Sequence, residues 1–260
     1  MKLHKGIYIL PSILTLGNMF CGFYVVWSII NQSENRFING PLLILVALFL
    51  DGLDGRIARL TNSESSFGAQ LDSLADFISF GIAPSFLAYS WGVHYFGRLG
   101  LGGCFLLVAA GAMRLARFNI QDTDDHAYFS GLPIPAQAGF IAVMIYELPQ
   151  AQGRTIRATA MIAIIYILSL LMVSRFKYRS FKDINLREKK PFRLFVFFIF
   201  MFFLFALKPS LFLIAALSLY ILSGPFRFFL PMDEGLMVPS RYKRIDDLET
   251  SQNGTDDDIL

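Results

Sequence analysis

An all-α polytopic membrane protein, a bundle of about eight transmembrane helices with both termini cytoplasmic, is the fold class that this sequence predicts. Three observations carry that reading. Of 260 residues, 55% are hydrophobic, 27 are Phe and only 17% are charged, a balance foreign to water-soluble domains. Apolar runs recur along almost the whole length, several reaching the ~20 residues needed to cross a bilayer. The basic residues, finally, are shared very unevenly between the loops that those runs would connect.

Taken in order, the predicted spans are 10–30, 41–59, 69–91, 99–117, 134–149, 156–174, 193–207 and 209–224. The fifth and the last two are short, and 193–224 has an alternative as one re-entrant hairpin around Lys208-Pro209, which would leave six or seven crossings. With eight spans, one set of loops holds only Arg36, Arg98, Arg154, Arg157 and Lys208 of the 23 Lys and Arg, and the other set holds the rest. The positive-inside rule puts the basic side, with both termini, in the cytoplasm. Residues 1–227 therefore form one membrane domain, and 228–260 a polar tail, with RYKR at 241–244 before an acidic end, expected to be disordered and cytoplasmic. Cys21 and Cys104 lie inside apolar runs, without the spacing of a zinc site or disulfide framework, and read as packing residues. The first run lacks a small-residue cleavage site and reads as a retained helix. No internal repeat, Walker loop, nucleophile elbow or dinucleotide fingerprint is present, and no nucleic-acid partner is expected.

The second and third spans carry the chemistry. Asp51 and Asp54 are three residues apart and Asp72 and Asp76 four apart, so each pair shares a helix face. The polar residues 61–66 between them supply a turn. Asp51 lies ~15 Å before that turn and Asp76 ~12 Å beyond it at 1.5 Å per residue, so an antiparallel pair converges all four carboxylates at one depth. A carboxylate near lipid costs several kcal/mol unless partnered. A divalent cation taking oxygen ligands, Mg²⁺ or Mn²⁺, is the economical partner.

The full pattern is D-x2-D-G-x2-A-R-x8-G-x3-D-x3-D, filled at Asp51, Asp54, Gly55, Ala58, Arg59, Gly68, Asp72 and Asp76. It resembles the signature of the CDP-alcohol phosphatidyltransferase family. Three later stretches, SFGIAP at 79–84, RLARFN at 114–119 and GLPIPAQAG at 131–139, resemble the phosphatidylserine synthase branch, and together the likeness covers roughly residues 8–182. The resemblance implies that residues 1–227 are a transferase domain moving the phosphatidyl group of CDP-diacylglycerol to L-serine by single displacement, with release of CMP. It implies that the four aspartates hold the metal and that Asp76 is the general base. It further implies a homodimer in a bacterial inner membrane, with the active site at the cytoplasmic side.

Other residues are read by their chemistry. Gly55, Ala58, Arg59 and Gly68 are candidates for the nucleotide diphosphate, the two glycines allowing close approach. Thr15 and Asn18, three apart in the first span, are hydrogen-bonding candidates for the same ligand or, alternatively, helix-packing residues. The family often has Asn where this chain has Ser12. Arg114 and Arg117, and in the basic stretch 174–193 Arg175, Arg179 and Lys182, are candidates for an acceptor carboxylate or phosphate; anchorage to anionic lipid is their other reading. Glycerol 3-phosphate or an inositol phosphate is the alternative acceptor. A cation transporter is the rival from another class, since intramembrane carboxylates also mark ion pathways, but the aspartates lie near one end of their helices rather than at the midplane.

Overall fold

The computed structural model describes residues 9–61, 63, 65–120, 128–148, 150–174, 176–179, 199 and 201–229. Eight helices organise them. They are α1 (Ile9–Ile30), α2 (Arg36–Leu60), α3 (Ser66–Asp76), α4 (Ala83–Trp91), α5 (Arg98–Ile120), α6 (Ile134–Glu147), α7 (Ile156–Val173) and α8 (Pro209–Phe229). A π-helical segment, Phe77–Ile82, joins α3 to α4 without a break, and a short 3₁₀ turn, Val93–Phe96, leads into α5.

Six stretches are long and apolar enough to cross a bilayer: Pro11–Ile30, Arg36–Leu60, Ser66–Trp91, Arg98–Ile120, Ile156–Val173 and Pro209–Phe226. Their large apolar side chains, such as Phe20, Phe49, Phe105 and Leu170, point outward, as a lipid solvent requires. The protein is an integral membrane protein on this composition. The expected fifth span exists as α6, but its 14 residues reach only ~21 Å, short of the hydrocarbon thickness. Of the expected seventh span, residues 201–207 are helical and 193–198 lie outside the described residues. Lys208 breaks the helix before Pro209 starts α8, with the Phe205 and Phe212 rings packed edge to face across the break at 5.8 Å. The expected tail falls almost wholly outside the described residues.

Two features depart from a plain bundle of helices. Tyr128–Ser130 (β1) and Lys177–Arg179 (β2) pair antiparallel, Phe129 opposite Tyr178. Gly131 follows at φ 83, where a side chain would also strike the Met172 carbonyl, so only glycine makes that turn. The third span, moreover, is not one regular helix. Its π segment frees a backbone carbonyl at Phe80, and buried Gln137 of α6 donates its Nε2 to it. Pro84 sits in the first turn of α4, where its missing N–H costs nothing.

The core lies where α1, α2, the π segment, α4, α5 and α6 meet, around Val25, Ile44, Phe80, Leu87, Leu107 and Ile141, all fully buried. Cys21 and Cys104 are buried there as free thiols. At the far end of the bundle Trp91 donates to the Leu148 carbonyl at 3.2 Å, tying α4 to the end of α6.

Candidate active site

α2 and α3 are antiparallel across a tight link. Thr61 Oγ1 donates to the Ile57 carbonyl at 2.7 Å, and the Thr61 and Ser63 hydroxyls meet at 2.7 Å. Ser65 caps α3 by accepting from the Gly68 N–H at 3.0 Å, which satisfies one of the donors a helix start leaves open. This hairpin brings Asp51 and Asp54 opposite Asp72 and Asp76.

Asp51, Asp72 and Asp76 each offer a carboxylate oxygen, and those oxygens all lie within 4.8 Å of one another. Asp54 stands beside them, close enough for its charge to act on both Asp51 and Asp76. Its own Oδ2 accepts from Thr15 Oγ1 at 2.9 Å, a hydroxyl also in reach of the Pro11 carbonyl. Asp54 and Asp76 are buried, at 4% and 9% exposure. Asp72 Oδ1 is buried with no hydrogen-bond partner. Carboxylates that repel one another away from water, one oxygen left without a donor, are a site that fits a hard divalent cation. Asp51, Asp72 and Asp76 could hold it directly, with Asp54 at its edge.

Asn18 reaches the same cluster from α1. It is fully buried and donates Nδ2 to Asp76 Oδ1 at 3.1 Å, while its Oδ1 has no partner. Its carbonyl accepts from Ser79 Oγ in the π segment at 2.8 Å. The two helices touch closely at this level, since a methyl on Gly22 would come within 2.6 Å of the Ser79 Cα. Asn18 therefore contacts Asp76 rather than the open cavity beside it.

That cavity, about 510 Å³, opens along α2 and α3. Thr15, Gly55, Ala58, Arg59 and Gly68 line it, together with Asp54 and Asp72. Ser12, Ser63, Ser65 and Ser66 complete its polar wall. A methyl on Gly55 would meet nothing within 4 Å. Packing does not require that glycine; room in the cavity does. Its volume falls within the range of small-molecule sites, and its polar rim with one Arg suits a phosphate-bearing ligand.

The basic candidates divide. Arg114, on the cluster side of α5, is half-buried, lies within electrostatic reach of Asp76 and of Tyr220 in α8, and has a buried Nε without a hydrogen-bond partner. Arg117 stands one turn further on, partly exposed. Arg179 is placed by its backbone alone, opposite Tyr128 in the ribbon. Arg175 and Lys182 lie outside the described residues. Sequence reading passed over several contributors. Ser73 and Asn119 exchange hydrogen bonds at 3.1–3.2 Å, tying the end of α5 to α3 beside Asp72, and Asn119 closes the RLARFN stretch that did attract attention. Gln137 likewise sits within GLPIPAQAG. Tyr220 had no signal at all, being one aromatic in a lipid-like run.

A helical integral membrane protein with a carboxylate cluster at the end of one hairpin and a phosphate-sized cavity beside it is the class that fold and site define. The profile of the CDP-alcohol phosphatidyltransferase family matches residues 8–173, which contain every one of these site elements except Tyr220. The chain belongs to that family. It is similar to the CDP-diacylglycerol–serine O-phosphatidyltransferase of Helicobacter pylori (strain ATCC 700392 / 26695), 37% identical over 87% of this chain and 93% of the relative. It is also similar to the protein of that name in Bacillus subtilis (strain 168), 33% identical over 66% of this chain and 91% of the relative. The archaetidylserine synthase of Methanothermobacter thermautotrophicus is 36% identical over 65% and 69%.

Proposed function

We propose that this protein transfers the phosphatidyl group of CDP-diacylglycerol to the hydroxyl of L-serine, giving phosphatidylserine and CMP. The observation that carries the reading is the convergence of Asp51, Asp72 and Asp76 beside a cavity lined by the remaining signature residues. The names of the relatives supply the acceptor.

The assignment of roles follows from position. Asp51, Asp54, Asp72 and Asp76 would hold Mg²⁺ or Mn²⁺, and the chemistry such an ion supplies is neutralisation of the diphosphate and polarisation of the attacked phosphorus. Arg59, Gly55, Ala58 and Gly68 receive the nucleotide side in the cavity, and Thr15 fixes Asp54. The acyl chains remain in the bilayer. Serine's hydroxyl is a weak nucleophile at neutral pH and needs a base within hydrogen-bond reach; Asp76, held in orientation by Asn18, takes that proton. The serine oxygen bonds to the lipid-side phosphorus as the bond from that phosphorus to the CMP oxygen breaks, and CMP leaves carrying the electron pair. Arg114 is the acceptor-side cation nearest Asp76 among the described residues, which supports it over Arg117 as the carboxylate contact.

The distribution of Lys and Arg supports a cytoplasmic site and cytoplasmic termini in an eight-span arrangement, in a bacterial inner membrane, and the family resemblance supports a homodimer with a membrane domain over 1–227. The test is CMP release by purified protein in detergent–lipid micelles containing CDP-diacylglycerol and Mn²⁺ or Mg²⁺, with L-serine, glycerol 3-phosphate and inositol phosphate offered separately. Release with serine, abolished by chelator, is the expected result. Release only with another acceptor keeps the site and discards the acceptor.

A further inference from the structure

We propose that α8, which lies beyond the stretch matched by the family profile, completes the acceptor pocket, with Tyr220 as a positioning residue that holds the Arg114 guanidinium toward the acceptor's carboxylate. The inference rests on the reading of the acceptor as serine.

Arg114 faces Asp76 from α5 with a buried Nε that no protein group satisfies. A guanidinium kept from water with an open donor is unfavourable, and a carboxylate relieves it through parallel charge-assisted bonds. In serine the hydroxyl and the carboxylate are separated by two carbons, so an acceptor delivering its hydroxyl to Asp76 carries its carboxylate back toward α5.

The other neighbour acting on Arg114 is Tyr220. Tyr220 is itself held firmly. Its ring lies 5.6 Å from that of Tyr178, which is fully buried and donates its hydroxyl to the Ile221 carbonyl at 3.1 Å. A methyl on Gly224 would overlap the Tyr178 ring, so α8 is shaped to receive it. Tyr178 in turn is paired with Phe129 through the β ribbon. Burial pushes the Tyr178 phenol up to about 12, with Tyr220 adding to the effect, so it remains a neutral donor at physiological pH. The ribbon, Tyr178 and α8 thus form one support whose outermost group is Tyr220. The family match ends at residue 173, so the bond-making chemistry common to the family does not call on α8. Its contribution belongs to acceptor affinity.

The test uses the full chain in CDP-diacylglycerol micelles, comparing wild type with Tyr220→Phe and Tyr220→Leu. Tyr220→Phe keeps the ring on Tyr178 and the melting temperature. It is expected to raise KM for L-serine on the order of tenfold, with a far smaller change in kcat and in KM for CDP-diacylglycerol. It should also narrow the preference for L-serine over serinol, which lacks the carboxylate. Tyr220→Leu should move the same quantities further and lower the melting temperature. An unchanged serine KM in Tyr220→Phe, or a parallel rise in both KM values, overturns the proposal alone. A wild-type protein that forms no phosphatidylserine overturns the acceptor assignment, and the proposal falls with it.

Discussion

Asn18 of α1 donates to Asp76 at the end of α3, 3.1 Å away and 58 residues along the chain. The bond fixes one oxygen of Asp76 and leaves the other to the cluster, and the same asparagine is pinned through its carbonyl by Ser79. A base must be aimed as well as basic, so α1 has a share in the chemistry although it carries no carboxylate. Asn18→Leu, similar in size but without the amide, is expected to lower turnover by about 10–100-fold, the usual effect of removing a partner behind a metal-site ligand. CMP release measured alongside a melting curve checks it. Unchanged turnover in a folded variant would mean that Asp76 is oriented by something other than α1.

Gly22 and Ser79 mark the closest approach of α1 to the π segment. A Cβ there comes within 2.6 Å of the Ser79 Cα and Oγ and 2.9 Å of its N, and backbone cannot step aside as a flexible side chain would. Gly22→Ala should destabilise the protein by about 1–3 kcal/mol through overpacking, seen as a lower melting temperature in detergent. Because Asn18 sits one turn away on the same helix, turnover at low temperature should fall as well. A variant as stable as wild type would show that α1 can shift without cost.

The hairpin was legible before any coordinates because its signals are local. Two aspartate pairs at helical spacing and a polar turn between apolar runs fix a helix pair by geometry alone. The first six spans were legible for a similar reason, except that α6 is shorter than a crossing and α3 passes into α4 through a π segment. That segment has no sequence marker of its own; it is held by Gln137, which comes from 57 residues away. The β ribbon was missed because its strands are three residues each and pair across α6 and α7. Asn18 was found as a polar residue in an apolar helix but assigned to the ligand, since spacing within α1 does not reveal which partner lies across the interface. Tyr220 was invisible because its role depends on Arg114, on a different helix.

Gly55 separates room for a ligand from room needed by the fold. It lines the cavity, and a Cβ there touches nothing. Gly55→Leu should therefore fold with little change in melting temperature, since no packed neighbour is displaced and exposed changes of this kind usually stay within about 0.5 kcal/mol. The larger side chain occupies the cavity instead. KM for CDP-diacylglycerol is expected to rise on the order of tenfold or more, the effect of lost contacts and a blocked approach, while KM for serine changes much less. Equal rises in both would place the two substrates in one shared volume rather than on either side of the cluster.

Asp72 and Asp76 can be told apart by metal titration. Asp72 is only partly buried and keeps an oxygen without a protein partner, as a residue devoted to a cation would. Asp76 is buried and engaged by Asn18, as a residue that must also receive a proton in a fixed direction would. Chelation should abolish CMP release in the wild type, and added Mn²⁺ or Mg²⁺ should restore it. Asp72→Asn weakens a ligand, so its activity should return in part as the metal concentration is raised, with the half-saturating concentration moved up by about 10–100-fold. Asp76→Asn loses the base itself, and turnover should stay about 10²–10⁴-fold down at any metal concentration. Should saturating metal rescue Asp76→Asn as well as Asp72→Asn, Asp76 would be a ligand only, and the serine proton would have to go to another of the cluster's carboxylates.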